Sequence, residues 1–133
     1  MLGHGHYELK IKNRVLITKI IGAWNKEEGE QHFCELKKIS HDLVKQPWAM
    51  VVYLDEWELG TPGSDEVTIE LIKWLTANKL VKVAEIYSPS LLKKVHIQNM
   101  VDRSETLFER QCFSDDQAAF DWLNSQGFPI EIS

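Results

Sequence analysis

The stretch WAMVVYL, residues 48–54, constrains the fold more than any other part of the chain. It is continuously apolar and rich in β-branched and aromatic side chains, so neither face of a strand built from it tolerates water. A strand buried on both faces belongs to a sheet flanked by helices. The chain then changes character at once. DEWELGTPGSDE, residues 55–66, carries five carboxylates around a Trp and a Gly-Thr-Pro-Gly turn. The buried strand therefore ends at a polar rim, and open α/β sheets bind ligands at the carboxyl ends of their strands.

The flanking segments supply the rest of the sheet and its cover. In HYELKIKNRVLITKIIGAW, Tyr7, Leu9 and Ile11 alternate with charged residues and Asn13 marks a turn, which predicts an N-terminal hairpin. Val15 and Ile17 take one face of its second strand, and Leu16, Thr18 and Ile20 the other. The first strand is expected at a sheet edge, because one face of it is charged. NKEEGEQHFCELKKISHDLVK predicts a helix with Phe33, Leu36, Ser40, Leu43 and Val44 inside, Asn25 and Glu28 forming a capping box, and Pro47 as the stop. A second helix starts near Pro62 or Asp65 and runs to Asn78, with Val67, Leu71, Trp74, Leu75 and Asn78 inward. KVAEIYS predicts a strand, and a third helix follows with Ser88 as cap and Pro89 first inside it. TLFERQCF, 106–113, predicts the last strand. The final helix has Ser114 as cap, Gln117 completing a capping box, Ala118, Ala119, Trp122 and Leu123 inward, and Gly127 at a left-handed stop.

The order is β-β-α-β-α-β-α-β-α, which predicts an α/β fold. Its centre is an open, mostly parallel mixed sheet of about five strands with an N-terminal antiparallel edge hairpin and four helices. The 133 residues suit a single domain, 1–133. A formal net charge of −5 argues against nucleic acid and against adsorption to anionic membranes. No apolar run approaches the ~20 residues of a transmembrane helix. MLGHGHYELK lacks an apolar signal core, so a cytoplasmic location is expected. Cys34 and Cys112 are then expected to be reduced core residues.

The element order, YLDEWELGTPGSDE at the start of the second helix, and FERQCFSDDQAAFDWLNSQG at the end together resemble the STAS domain of anti-sigma-factor antagonists. More specifically, the chain resembles the uncharacterised SpoIIAA-like proteins of bacteria. The resemblance spans nearly the whole chain and implies a SpoIIAA-like fold. In phospho-regulated antagonists a serine at the start of helix two is phosphorylated by a partner kinase. Thr61, Gly63 and Ser64 fall near that position, which makes Ser64 and Thr61 the candidate phospho-acceptors. LGTPGSDE departs from the Asp-Ser or Ser-Ser-Gly pattern of those proteins.

The candidate sites each have a plainer reading beside the functional one. Asp55, Glu56 and Glu58 are a solvated loop or part of a recognition surface; the calcium-loop spacing is absent and no metal is expected. Trp57 either covers the end of the core or anchors a partner. Thr61 and Ser64 both suit a helix N-cap. His4, His6, His32, His41 and His96 lack zinc spacing and read as surface residues. No nucleophile elbow or phosphate-cradling glycine loop is present in the sequence, so no catalytic residue and no cofactor are expected.

Two functions are expected from this reading. The first is a non-catalytic interaction or regulatory module that meets an unknown protein partner through Asp55, Glu56, Trp57, Glu58, Thr61 and Ser64. The second is a carrier or sensor of a small apolar or amphipathic ligand, by analogy with the CRAL-TRIO architecture that the fold resembles. Its pocket is expected between helices two and three, walled by Trp74, Leu75, Leu91, Leu92 and Val95. A third, an enzyme built on the loop carboxylates, requires two of them to converge in a cleft. Oligomeric state stays open, and the five tryptophans are candidates for the core or for a homodimer interface.

Overall fold

The computed structural model describes residues 5–130. The chain runs through β1 (His6–Lys12), β2 (Val15–Ala23), α1 (Lys26–Ile39), a short 3-10 turn (Leu43–Lys45), β3 (Trp48–Tyr53), β4 (Trp57–Glu58), α2 (Pro62–Ala77), β5 (Leu80–Ile86), α3 (Leu91–Ser104), β6 (Glu109–Phe113) and α4 (Asp116–Ser125). The sheet order is β1-β2-β3-β5-β6, with β4 paired to β2. Only β1 is antiparallel to its neighbour, and β2, β3, β5 and β6 run parallel. This is the expected mixed sheet, with β1 at an edge.

The alternation of β2 decides which side chains each layer receives. Val15 and Ile17 join Ala49, Val51, Ala84 and Ile86 on the face that α4 covers through Ala119, Phe120 and Leu123. Leu16 joins Met50 and Val83 on the opposite face, under Leu36 of α1 and Leu75 of α2. Ile20, Leu54 and Tyr87 extend that face toward the strand ends, where Ile97 and Val101 of α3 close it. Three helices thus share one face because each of the parallel crossovers steps one strand in the same direction.

Several local expectations give way to better partners. The cap of α4 is Asp115, whose carboxylate accepts from the Ala118 N–H at 2.8 Å, and not Ser114. Asp adds charge at the helix N-terminus that Ser lacks. The cap of α3 is Ser90, two residues after Ser88. Phe120 faces inward from α4 while Ala118 is exposed. Cys34 and Cys112 are both exposed, contrary to the expectation of core thiols. Cys34 lies off the buried stripe of α1, which is Gly29, His32 and Leu36.

Candidate functional site: an acidic rim over a cavity

The chain does not leave the sheet at Tyr53. It turns through Asp55 and Glu56 and returns as β4, pairing Trp57 with Gly22 and Glu58 with Ala23 in parallel register. Gly22 makes this return feasible: it takes φ +79, which disfavours side chains, while its N–H donates to the Glu56 carbonyl at 2.8 Å. The Thr61 N–H then donates to the Trp24 carbonyl at 3.1 Å, and Thr61 Oγ1 accepts from the Ser64 N–H to cap α2. Pro62 follows the cap as the first helical residue. The rim is therefore tied down at β2, at Trp24 and at α2.

This framework separates the six rim residues into two sets. Asp55, Glu56, Glu58 and Thr61 are exposed. Asp55 accepts from the Ser88 N–H at 2.7 Å, and Glu56 pairs with Lys19 at 2.7 Å. The pairing with Glu56 raises the Lys19 pKa. The loop carboxylates do not converge: Asp55 and Glu56 turn to different partners. Trp57 and Ser64 are buried, so neither stands on the surface expected of them. Trp57 packs among Ile20, Leu54, Tyr87 and Ile97. Its burial follows from β4, which points alternate side chains to opposite faces and leaves Glu58 outward. Ser64 is 6% exposed, which shields its hydroxyl from a modifying enzyme, whereas Thr61 is accessible but already serves as the cap.

Beneath the rim lies a cavity of about 150 Å³ between the sheet and α2 and α3. Ile20, Met50, Val52, Leu71, Ile97 and Val101 give it apolar walls, and Trp57 and Ser64 line it as well. Of the five residues expected to wall a pocket here, only Leu75 does. Trp74 turns toward α1 and meets Phe33 edge-on, with ring centroids 6.0 Å apart. Leu91, Leu92 and Val95 are exposed by 79%, 66% and 58%. They occupy the first turns of α3 that face away from the sheet, while Ile97, Met100 and Val101 face it.

Polar groups enter the cavity wall in matched pairs. Arg110 donates from Nε and Nη2 to the two carboxylate oxygens of Glu85, at 2.8 and 3.0 Å. Arg110 Nη1 donates to Gln98 Oε1 at 3.0 Å. Asp65 Oδ1 lies 3.0 Å from His96 Nε2. His32 is enclosed by Tyr7 and Trp24, each ring centroid 5.0 Å from the imidazole, and its Nε2 lies 3.0 Å from Thr18 Oγ1. The surface histidine expected at position 32 is thus a core residue, and burial pulls its pKa down to about 4. His96 is half-buried, His6 and His41 are exposed, and His4 lies outside the described residues.

Sequence reasoning missed β4, because two residues show no period. It missed His32 although a signal was present: Gly29, His32, Leu36 and Ser40 recur at helical spacing. Among the described residues no cluster of His, Cys, Asp or Glu is arranged to hold a metal, and no helix is long and apolar enough to cross a membrane. All five tryptophans are buried or half-buried, which gives each a role within the fold.

No family model matches the sequence, and no curated protein matches it. Solved structures do resemble it. An uncharacterized protein of the DUF3478 family from Shewanella loihica PV-4, described as having a SpoIIAA-like fold, superposes with a TM-score of 0.73 at 18% identity over 92% of this chain and 98% of that one. An anti-sigma factor antagonist from Mycobacterium paratuberculosis superposes with a TM-score of 0.56 at 12% identity over 86% of this chain and 92% of that one. The strand order, the helix placement and these superpositions agree, and the chain has the SpoIIAA-like fold.

Proposed function

We propose that this protein is a non-catalytic regulatory module of the bacterial cytoplasm that presents its acidic rim to a protein partner whose contact face is rich in Lys and Arg. The observation that carries this reading is the exposed set Asp55, Glu56 and Glu58, held by main-chain pairing rather than left on a free loop. Fixed surface charges steer a complementary partner and set its orientation. The similarity to a structure described as an anti-sigma factor antagonist supports a protein as the partner. Thr61 is the phospho-acceptor this reading favours, since it is exposed and Ser64 is not. A phosphate on Thr61 would disturb the cap of α2 and so alter the same surface.

The test is cross-linking and affinity isolation from the protein's own cells, comparing the wild type with Glu58→Lys. Glu58 is exposed and on the outward side of β4, so reversing its charge leaves the core untouched. A protein retained by the wild type and lost from the variant supports the reading. Equal retention by both places the contact elsewhere and overturns it.

The cavity favours a second reading, a carrier or sensor of a small apolar ligand. Native mass spectrometry of the same isolate detects an apolar molecule that leaves on denaturation, and a bare mass removes this reading.

A further inference from the structure

The unused hydrogen-bonding capacity in the cavity wall is specific. Thr18 Oγ1 donates its one proton to the Glu8 carbonyl at 3.0 Å, so His32 Nε2 must carry the proton in the His32–Thr18 contact. His32 Nδ1 is then a bare acceptor, and it has no partner among the described residues. Burial keeps this ring neutral at physiological pH. The Ser64 hydroxyl and the Trp57 indole N–H also lack a side-chain or backbone partner among the described residues; no fully enclosed polar side-chain atom among those residues is left unpaired, so these groups open onto the cavity they line. His32, Ser64 and Trp57 are 4%, 6% and 9% exposed, and all three line the cavity. Other tryptophans of the core behave differently: Trp24 Nε1 donates to the Ile21 carbonyl and Trp48 Nε1 to the Asn78 carbonyl.

The charged groups of the same wall leave nothing over. Glu85 is matched by Arg110, and Asp65 faces His96. A ligand carboxylate or ammonium would enter without a free counter-charge, and an unmatched buried charge is strongly disfavoured. Volume sets the remaining limit. A cavity of about 150 Å³ accommodates a molecule the size of benzene.

We infer that the cavity binds a small, uncharged, hydroxyl-bearing ring compound of about the size of a phenol, its ring among Ile20, Met50, Val52, Leu71 and Ile97 and its hydroxyl among His32, Ser64 and Trp57. A hydroxyl both donates and accepts, which suits a wall that offers a bare imidazole nitrogen, an O–H and an N–H. This inference rests on the ligand reading of the cavity and specifies its chemistry.

Three probes on a common methylbenzene frame test it: p-cresol, toluene and p-toluate. Each is titrated into the whole protein and followed by amide NMR. The expected result is saturable p-cresol binding that shifts residues around the cavity, toluene weaker by roughly tenfold for the lost hydrogen bonding, and no binding of p-toluate. Ser64→Ala should narrow the gap between p-cresol and toluene, and Val52→Phe, which fills the cavity, should remove binding of both. Toluene binding as tightly as p-cresol would overturn the hydroxyl inference and leave the ligand reading intact. Preference for p-toluate would overturn neutrality. Failure of all three to shift the lining residues would remove the ligand reading together with the inference. The ranking in the wild type decides the matter even where a variant folds poorly.

Discussion

Arg110 on β6 holds both carboxylate oxygens of Glu85 on β5, at 2.8 and 3.0 Å, on the face of the sheet that α1, α2 and α3 cover. Glu85 is buried, so that grip supplies the partner its carboxylate needs in the core. Arg110→Met is expected to destabilise the protein by about 3–5 kcal/mol, because it leaves a buried carboxylate alone. The double variant Glu85→Leu/Arg110→Met should recover most of that loss. Urea unfolding of the three proteins measures both effects, and equal midpoints for the single and double variants would contradict the account.

His32 makes stability depend on acid. Its folded pKa of about 4 lies below the ordinary value of 6.5, so the unfolded chain binds the proton more readily. The unfolded state therefore gains as pH falls through that interval, and stability is lost from about pH 6.5 downward until both states are protonated below about pH 4. The loss attributable to this residue is roughly 3 kcal/mol. His32→Gln removes it. The expected observation is a shallower decline of unfolding free energy for the variant between these pH values, with the carboxylate contribution common to both proteins.

Trp57 separates a core role from an anchoring role. Truncating a buried aromatic to Ala costs about 3–5 kcal/mol, so Trp57→Ala should lower the unfolding midpoint strongly. An exposed anchor would leave stability nearly unchanged while weakening partner binding. Thermal unfolding distinguishes the two before any partner is known.

The start of α3 offers the opposite contrast. Leu91→Gln and Leu92→Gln should each change stability by no more than about 0.5 kcal/mol, whereas Leu36→Ala, at a fully buried position, should cost about 2–5 kcal/mol. A large loss on either Gln substitution would show that these leucines wall an apolar site after all.

What could be read in advance follows from the physics of each element. WAMVVYL had to lie in the middle of a covered sheet, and β3 does, between β2 and β5. The β2 alternation correctly divided Val15 and Ile17 from Leu16, Thr18 and Ile20, because a strand's period is fixed by its pleat. The Asn25–Glu28 capping box forms as expected, each half confirmed by its own hydrogen bond. The pocket was misplaced because Leu91, Leu92 and Val95 are apolar, and apolarity alone does not say that a side chain is covered. His32 was misread for the converse reason: a polar side chain on the inward stripe is invisible to a hydrophobic pattern until Thr18 is known to stand opposite it.

The short pairing of β4 with β2 has a kinetic meaning. Asp55, Glu56 and Glu58 are already positioned by Gly22, Trp24 and Trp57 before any partner arrives. Little backbone freedom remains to be lost on contact, so under the proposed function docking at this edge would require no folding step of its own. Association there should proceed as a near-rigid encounter, its speed set by charge and ionic strength rather than by loop rearrangement.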